Sequence, residues 1–244
     1  MNNRKKIIIK TKRKMKDRKE IEEKLGVTFK NPRLLKTALT HRSYLNEHRG
    51  MNLKNNERLE FLGDAVLELI ISSELFRKFP KKPEGELTAI RSAVVRTESL
   101  AQESRLLGIG EHILMSRGEE ESGGKDKDFI LANTYEALLG AIYLDQGIEV
   151  CTDFVKRTAL KKVNRVVDQE LFVDPKTRVQ ELIQAKYKVT PTYTLIKEQG
   201  PDHDKTFTVG LKVGKKVMSK GTGVSKQKAE EDAARKCIEK LEEK

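Results

Sequence analysis

The chain has 244 residues, of which 37% are hydrophobic and 35% charged, and its formal net charge is +12. This composition indicates one or two globular domains and excludes a largely disordered chain. It also excludes a membrane protein, because no apolar run approaches the roughly 18 residues of a membrane-spanning helix. The isoleucines at 7–9 are too few for a signal peptide. The two cysteines, Cys151 and Cys237, have no metal-site spacing, so we expect a reducing, cytoplasmic location.

The positive charge is concentrated at the two ends of the chain. Residues 1–19 hold ten Lys or Arg and one Asp, residues 20–173 have a net charge of −2, and residues 174–244 have a net charge of +5. We predict that residues 1–16 form a disordered basic arm, which is either a solvated tail or a segment with affinity for nucleic acid or the ribosome. The charge pattern suggests a polyanionic ligand and a separate acidic site in the middle of the chain.

Residues 17–168 are predicted to form an all-α domain. Apolar residues recur at spacings of three and four throughout this region, whereas alternation of the kind found in strands is missing. Clusters of Gly, Pro and charged residues in FPKKPEGE and SRGEEESGGKDKD predict loops. Residues 169–173 are predicted to form a short linker to a second domain.

The segment NERLEFLGDAVLEL, residues 56–69, combines apolar residues with regularly spaced carboxylates. In a helix, Glu57, Glu60 and Asp64 fall within one narrow stripe. The side chains expected on the opposite, core-facing side are Leu59, Leu62, Val66 and Leu69. The acidic stripe is either a solvated helix face or part of a metal site, since carboxylates held close together repel one another unless a cation lies between them.

A second acidic group lies in LANTYEALLGAIYLD, where Asn133 and Glu136 share one face of a predicted helix. Gly140 follows one turn later, and a glycine in an apolar helix indicates that another element packs very close to it. If Gly63 and Gly140 let the two helices approach, both acidic groups meet. Two helices that donate carboxylates inward can build a divalent-metal site, although an exposed Glu and a loosely packed Gly remain the alternative.

Residues 174–244 are predicted to form a small α+β domain of the order α-β-β-β-α. Asp174 is the expected N-cap and Pro175 the first residue of its first helix. The segments TYTLIKEQ, KTFTVGLKV and KVMSKG are predicted strands. Ser225 is the expected N-cap of the last helix, and the side chains predicted on its packing face are Ala229, Ala233 and Cys237.

Taken together, these segments resemble the ribonuclease III family of double-stranded-RNA endonucleases. The string NERLEFLGDAVL is similar to the family signature, and four further segments resemble its other motifs in the family's order: LTHRSYLNE (39–47), PEGELT (83–88), GEEESGGK (118–125) and NTYEALLGAIYLD (133–145). The last 70 residues separately resemble a double-stranded-RNA-binding domain. The resemblance implies a Mg²⁺-dependent homodimer, with Mn²⁺ as an alternative ion. It also implies products with 5′-phosphates, 3′-hydroxyls and short 3′ overhangs, and a role in processing ribosomal and other structured RNA precursors.

The resemblance also implies roles for residues of the acidic groups. Asp64 and Glu136 match the two carboxylates most central to catalysis, and Glu60 matches a further metal ligand. Where the family mostly has Asp, this chain has Asn133. The amide oxygen of Asn133 can still coordinate Mg²⁺, but it brings no charge, so we expect weaker metal affinity. An alternative follows from this departure, namely an RNA-binding protein that keeps the fold but cleaves poorly.

Three further residues match positions at the edge of the implied site. Glu57 and Glu84 resemble residues that contact the substrate or the ligating side chains. Phe61 matches an aromatic residue that fills a pocket of the partner subunit, although its own domain's core is the other location open to it.

In the C-terminal domain the resemblance implies a surface that binds duplex RNA. Lysines beside a helix N-terminus oppose the helix dipole, which favours phosphate binding as their role at the start of the last helix. The scarcity of aromatic residues argues for recognition of duplex shape. The residues implied to contact RNA are Thr177, Gln180, Glu181, His203, Lys226, Gln227 and Lys228. A metal-dependent hydrolase of small molecules is disfavoured by this domain.

Overall fold

The computed structural model describes residues 18–48, 50, 52–201 and 205–242. The predicted basic arm and His203 lie outside these described residues. Contacts divide the chain after Phe172 into two compact units, each of which is described by itself. In the described ranges, no helix is both long and apolar enough to cross a bilayer.

The first unit is helical, as the sequence predicted. Its helices are α1 (18–25), α2 (Pro32–Ala38), α3 (Arg42–Glu47), α4 (Glu57–Lys78), α5 (Glu84–Val95), α6 (Thr97–Leu106), α7 (Arg117–Glu121), α8 (Asp128–Gln146), α9 (Ile148–Arg157) and α10 (Val163–Asp168). Short 3₁₀ turns cover Ile109–His112, Gly124–Asp126 and Ala159–Lys162. The prediction of a loop in SRGEEESGGKDKD was wrong in part, because Ser116 caps α7 by accepting a hydrogen bond from the backbone N–H of Glu119 at 3.3 Å.

Helix α8 forms the centre of the first unit. Its sequence is apolar on nearly every side, and a helix of this kind is stable only when it is surrounded by other elements. Accordingly, α2, α4, α6 and α9 all pack against it. The buried hydroxyl of Tyr135 forms a 2.6 Å hydrogen bond with Thr158, so this polar group is satisfied inside the core. The half-buried side chains of Asn133 and Glu136 interrupt the otherwise buried middle of α8.

Helix α4 packs its leucines against this core with one exception. Leu59 and Val66 are buried and Leu62 is half-buried, as the sequence predicted. The prediction for Leu69 was wrong, because 59% of this residue is exposed. Leu69 lies about 200° around the helix from the fully buried Leu67, so its side chain points away from the core.

An apolar stripe therefore remains exposed along the outer side of α4. We define the α4 apolar stripe as Phe61, Ala65, Leu69 and Phe76; the exposed fraction of Phe61 is 82% and that of Phe76 is 74%. Spacings of four and seven residues place these side chains on one side of the helix.

The second unit has the predicted order of elements. It consists of α11 (Pro175–Tyr187), β1 (Thr192–Gln199), β2 (Thr206–Val213), β3 (Lys216–Gly223) and α12 (Lys226–Glu242). The strands form an antiparallel sheet of order β1-β2-β3. The caps are also as predicted: Asp174 accepts a hydrogen bond from the N–H of Thr177, and Ser225 accepts one from that of Lys228. The buried side chains that join both helices to the sheet are Val179, Ile183, Leu211, Ala233, Ala234 and Cys237.

Candidate active site and nucleic-acid interface

The backbones of α4 and α8 touch where the two helices cross. A Cβ atom placed on Gly63 would lie 1.7 Å from the carbonyl oxygen of Glu136, and one placed on Gly140 would lie 2.2 Å from that of Leu59. Both distances are far below a van der Waals contact, so only glycine fits at these two positions. The predicted close approach of the helices is therefore confirmed, and it fixes the separation of the acidic residues on either side of the crossing.

Four of the predicted site residues meet beside this crossing. The side-chain amide of Asn133 on α8 donates a hydrogen bond to Glu60 on α4, and Asp64 interacts electrostatically with both Glu60 and Glu136. Asp64 is exposed to solvent, whereas the other three side chains are half-buried. The group thus combines three carboxylates and one amide at the edge of the core, with access from one side.

The proximity of these carboxylates raises their affinity for protons. Burial raises the pKa of Glu136 to about 8, and the negative charges of Asp64 and Glu60 add to this effect. Burial also raises the pKa of Glu60, as do Glu57 and Asp64, while the hydrogen bond from Asn133 opposes the rise. A buried group of like charges is stabilised either by protons or by a cation. The electrostatics therefore favour a positively charged ligand.

The donor atoms also suit a hard divalent cation, which prefers carboxylate and amide oxygens. Among the described residues, however, no three His, Cys, Asp or Glu side chains stand in positions from which they could hold one ion. Binding of one ion by this group would therefore need rotation of side chains.

The two predicted residues at the edge of the site have different surroundings. The carboxylate of Glu57 lies 3.9 Å from the guanidinium of Arg42 and contributes to the electrostatic potential at Glu60. Glu84 lies in the first turn of α5, where its carboxylate accepts a 3.0 Å hydrogen bond from Thr88. Within the described part of the chain, no contact joins Glu84 to the acidic group.

Sequence reasoning overlooked Glu68, which extends the acidic stripe of α4 by one turn beyond Asp64. Its carboxylate lies 3.9 Å from Arg91 on α5, and Arg91 also donates a 2.9 Å hydrogen bond to the hydroxyl of Ser72. Glu68 follows Asp64 by four residues, and this spacing alone would have placed it on the same face of the helix. These contacts tie α5 to α4 beside the site.

The outer surface of the second unit carries the predicted polar residues. The side chains exposed along α11 are Thr177, Gln180, Glu181 and Gln184, and those exposed at the start of α12 are Lys226, Gln227 and Lys228. The ammonium of Lys228 lies 3.1 Å from Glu231, so part of its charge is balanced within the helix. Lys226 and Lys228 adjoin the N-terminal end of α12, where backbone N–H groups also favour anions.

Comparison with known families assigns both units. The family model described as "Ribonuclease-III-like" matches residues 31–163, and the "Double-stranded RNA binding motif" matches residues 175–241. The fold and the acidic site together therefore define a nuclease joined to a domain that binds double-stranded RNA.

Individual relatives give the same assignment over most of the chain. The chain is 49% identical to Ribonuclease 3 of Desulforamulus reducens over 222 residues, and this match covers 91% of the chain and 90% of that protein. It is 47% identical over 218 residues to Ribonuclease 3 of Streptococcus gordonii, with coverages of 89% and 94%. A solved structure of the nuclease domain of ribonuclease III from Campylobacter jejuni matches with a TM-score of 0.54 and 44% identity, over 58% of this chain and 95% of that one. The chain belongs to the ribonuclease III family and is an endoribonuclease that acts on double-stranded RNA.

Proposed function

We propose that this endoribonuclease depends on Mg²⁺, held by Glu60, Asp64, Asn133 and Glu136, and that Mn²⁺ can replace it. The observation that supports this most strongly is the meeting of these four oxygen-bearing side chains at the crossing of α4 and α8. When bound, the cation would activate water for attack on a phosphodiester and would stabilise charge on the leaving oxygen. The products would carry 5′-phosphates and 3′-hydroxyls.

The protein's own residues would prepare this step in two ways. Burial raises the pKa of the Glu136 carboxyl group to about 8, so this group would release a proton when a cation binds beside it. Asn133 orients the carboxylate of Glu60 through their hydrogen bond. Glu57, which interacts electrostatically with Glu60, would contact the RNA or the ligating side chains. The same role is proposed for Glu84 on the basis of its match to the family motif alone.

A cleavage assay tests the proposed metal dependence directly. A labelled RNA duplex of 30–60 base pairs is incubated with the protein in Mg²⁺ or in EDTA, with a single-stranded RNA of the same sequence as control. We expect fragments with 5′-phosphates from the duplex in Mg²⁺ alone. Equal cleavage in EDTA would contradict the proposed metal dependence.

The uncharged Asn133 favours a second candidate, namely a protein that binds duplex RNA but cleaves it poorly. The substitution Asn133→Asp restores a fourth carboxylate and should lower the Mg²⁺ concentration needed for half-maximal cleavage. If the unmodified protein binds RNA without cleaving it, and Asn133→Asp introduces cleavage, the second candidate is correct.

We propose that two copies of the chain pair through the α4 apolar stripe, with Phe61 entering a pocket of the partner subunit. Phe61 is 82% exposed, so it does not lie in the core of its own domain, which was the other location that the sequence left open. The solved Campylobacter jejuni nuclease domain is described as having a region involved in dimer formation. Paired sites would cut both strands of a duplex and leave short 3′ overhangs.

Analytical ultracentrifugation tests the pairing. The variant Phe61→Ala should shift the protein toward monomer at micromolar concentration, whereas Leu106→Ala, which truncates another largely exposed apolar side chain at the end of α6, should not. An unchanged dimer in Phe61→Ala would refute the role given to Phe61.

We further propose that the substrates are ribosomal and other structured RNA precursors and that the protein acts in the cytoplasm. Recognition of duplex shape by the second unit supports the first point. The free, buried thiols of Cys151 and Cys237 support the second. Mapping of RNA 5′ ends in cells with and without the protein would test the substrates, and fractionation would test the location.

A further inference from the structure

A cleft of about 160 Å³ lies in the first unit, between the start of α6 and helix α10, among residues to which no function has been assigned above. Its side chains come from the end of α5, the residue that joins α5 to α6, the first two turns of α6, the last residue of the third 3₁₀ turn, α10 and the segment after α10. The volume equals the share of about five water molecules in the liquid, so the cleft can hold a small ion or one group of a larger ligand.

The walls of this cleft carry an excess of positive charge. Arg96, Lys162 and Arg165 line it, against a single carboxylate, that of Glu98. Lys162 is already engaged, because its ammonium lies 2.9 Å from Glu103 and donates a 2.8 Å hydrogen bond to the carbonyl oxygen of Ser99. The charge available to a ligand is therefore that of the two arginines.

The two arginines are available because they lack ionic partners. Among the described residues, no ion pair involves the guanidinium of Arg96 or that of Arg165, and Arg96 makes no side-chain hydrogen bond. Arg165 uses only its Nε atom, in a 3.3 Å hydrogen bond to Gln169. The remaining N–H groups are free to donate. Arg96 and Arg165 both line the cleft, and planar guanidinium groups suit an oxyanion because it accepts paired hydrogen bonds from them.

The third wall is apolar and is held in place by the end of α10. Leu171 donates its backbone N–H to Val166 at 2.9 Å, and Glu170 donates to Val167 at 3.1 Å with a positive φ of 48°. These two bonds form a Schellman motif, which turns Leu171 back against Val166. Side chains of Val166 and Leu171 line the cleft together with Ala93, beside the exposed arginines.

We propose that this cleft is a binding site for a phosphate-type oxyanion, held by Arg96 and Arg165 and distinct from the acidic site. The anion is either a phosphate group of RNA or a free phosphate compound. This proposal does not depend on the metal ion or on the cleavage reaction described above.

Methyl NMR spectroscopy of the full chain tests the site directly, because Val166 and Leu171 carry reporter groups in its wall. Inorganic phosphate is titrated into protein labelled at valine and leucine methyl groups, against chloride at matched ionic strength. We expect saturable shifts at Val166 and Leu171 with phosphate. The double variant Arg96→Gln/Arg165→Gln should bind at least about tenfold more weakly, since each arginine contributes charged hydrogen bonds.

A matched control separates the site from general charge effects. The double variant Arg77→Gln/Arg117→Gln removes the same charge from two exposed arginines that pair with Glu74 and Glu121 outside the cleft. It should keep the phosphate-induced shifts. Absence of shifts at Val166 and Leu171, or equal shifts in both double variants, would overturn the proposal.

Two further titrations identify the source of the anion. One uses a 20-base-pair RNA duplex with 5′-hydroxyl ends in EDTA, and the other uses a nucleoside 5′-monophosphate. Shifts of the cleft methyls by the duplex, absent in Arg96→Gln/Arg165→Gln, assign the site to the RNA backbone. Shifts by the monophosphate and not by the duplex assign it to a free phosphate compound.

Discussion

The acidic group of the first unit and the basic surface of the second hold their charges in opposite ways. Around Glu136, carboxylates are drawn together and partly buried by a helix crossing in which backbones touch, and the pKa of Glu136 rises to about 8 as a result. Around Lys226 and Lys228, the charges stand on an exposed helix end in contact with water. The first arrangement depends on how the two helices are packed, whereas the second depends mainly on the number of charges.

The largest effect should come from disturbing the crossing itself. Gly63→Ala introduces a Cβ that meets the carbonyl oxygen of Glu136, and neither backbone can yield without displacing its helix. We expect a loss of about 3 kcal/mol or more in the free energy of unfolding, measured by urea denaturation.

Gly85→Ala is the matched control for this substitution. Gly85 also lies in a helix, at the first turn of α5, and nothing stands within 4 Å of the added atom. The free energy of unfolding of Gly85→Ala should exceed that of the unmodified protein by less than about 1 kcal/mol. If Gly63→Ala and Gly85→Ala had the same free energy of unfolding, the backbones of α4 and α8 could not be in contact at Gly63.

The next effect separates chemistry from binding. Glu136→Gln keeps the size of the side chain but removes its charge, so cleavage of duplex RNA should fall at least about a hundredfold. Binding of RNA in EDTA, measured by fluorescence anisotropy, should stay unchanged because the RNA-binding surface lies in the other unit. Glu149→Gln, the same change at an exposed position of α9, should preserve both. Equal loss of cleavage and binding in Glu136→Gln would refute its role.

A smaller and graded effect is expected at the basic surface. Replacing Lys226 and Lys228 together by Ala should weaken RNA binding and reduce the slope of log K against log salt by up to about two. Because Lys228 already pairs with Glu231, we expect it to contribute less to this slope than Lys226 does. Lys236→Ala/Lys240→Ala removes the same charge further along α12 and should change the slope less. An unchanged slope in the first variant would exclude phosphate contacts at these lysines.

The smallest effect concerns His41, which caps α3 near the acidic group. Burial lowers the pKa of His41 below 6.5, and Arg42 and Lys127 add to this, while Glu119 and Glu57 oppose it. The folded state therefore prefers neutral His41, whose Nδ1 accepts a hydrogen bond from the N–H of Ser43. Its contribution to stability is present above pH 6.5 and is lost as the pH falls through the folded-state pKa.

The variant His41→Asn keeps an acceptor at this cap but does not titrate. Urea midpoints between pH 7.5 and pH 5 should therefore fall more steeply for the unmodified protein than for the variant. Parallel curves would show that the environment of His41 does not affect its protonation.

The second unit could be predicted almost completely from the sequence, because each of its signals is local. Caps at Asp174 and Ser225, strict alternation in β2 and an alanine-rich face on α12 all specify the same fold. In the first unit, the spacing of Glu60, Asp64, Asn133 and Glu136 indicated which residues meet, but the extent of their burial depended on the helices around α8.

Features that arise only from tertiary packing could not be predicted. Leu69 has the spacing of a core residue, yet it is exposed because the buried side of α4 turns toward Leu67. The cleft at Arg96 and Arg165 joins residues that are separated in sequence by the four helices α6 to α9, and no periodicity connects them. Short helix α7 also formed where charge and glycine suggested a loop.

The contact between Gly63 and the backbone of Glu136 has a consequence for protein engineering. Since main-chain atoms of α4 and α8 are in contact at the site, they set the shortest distance to which the two helices can approach there. The apolar residues deeper in the first unit can therefore be redesigned for heat resistance, with volume conserved, without altering the spacing of the carboxylates. Directed evolution of this scaffold would have wide freedom in its core and almost none at these two glycines.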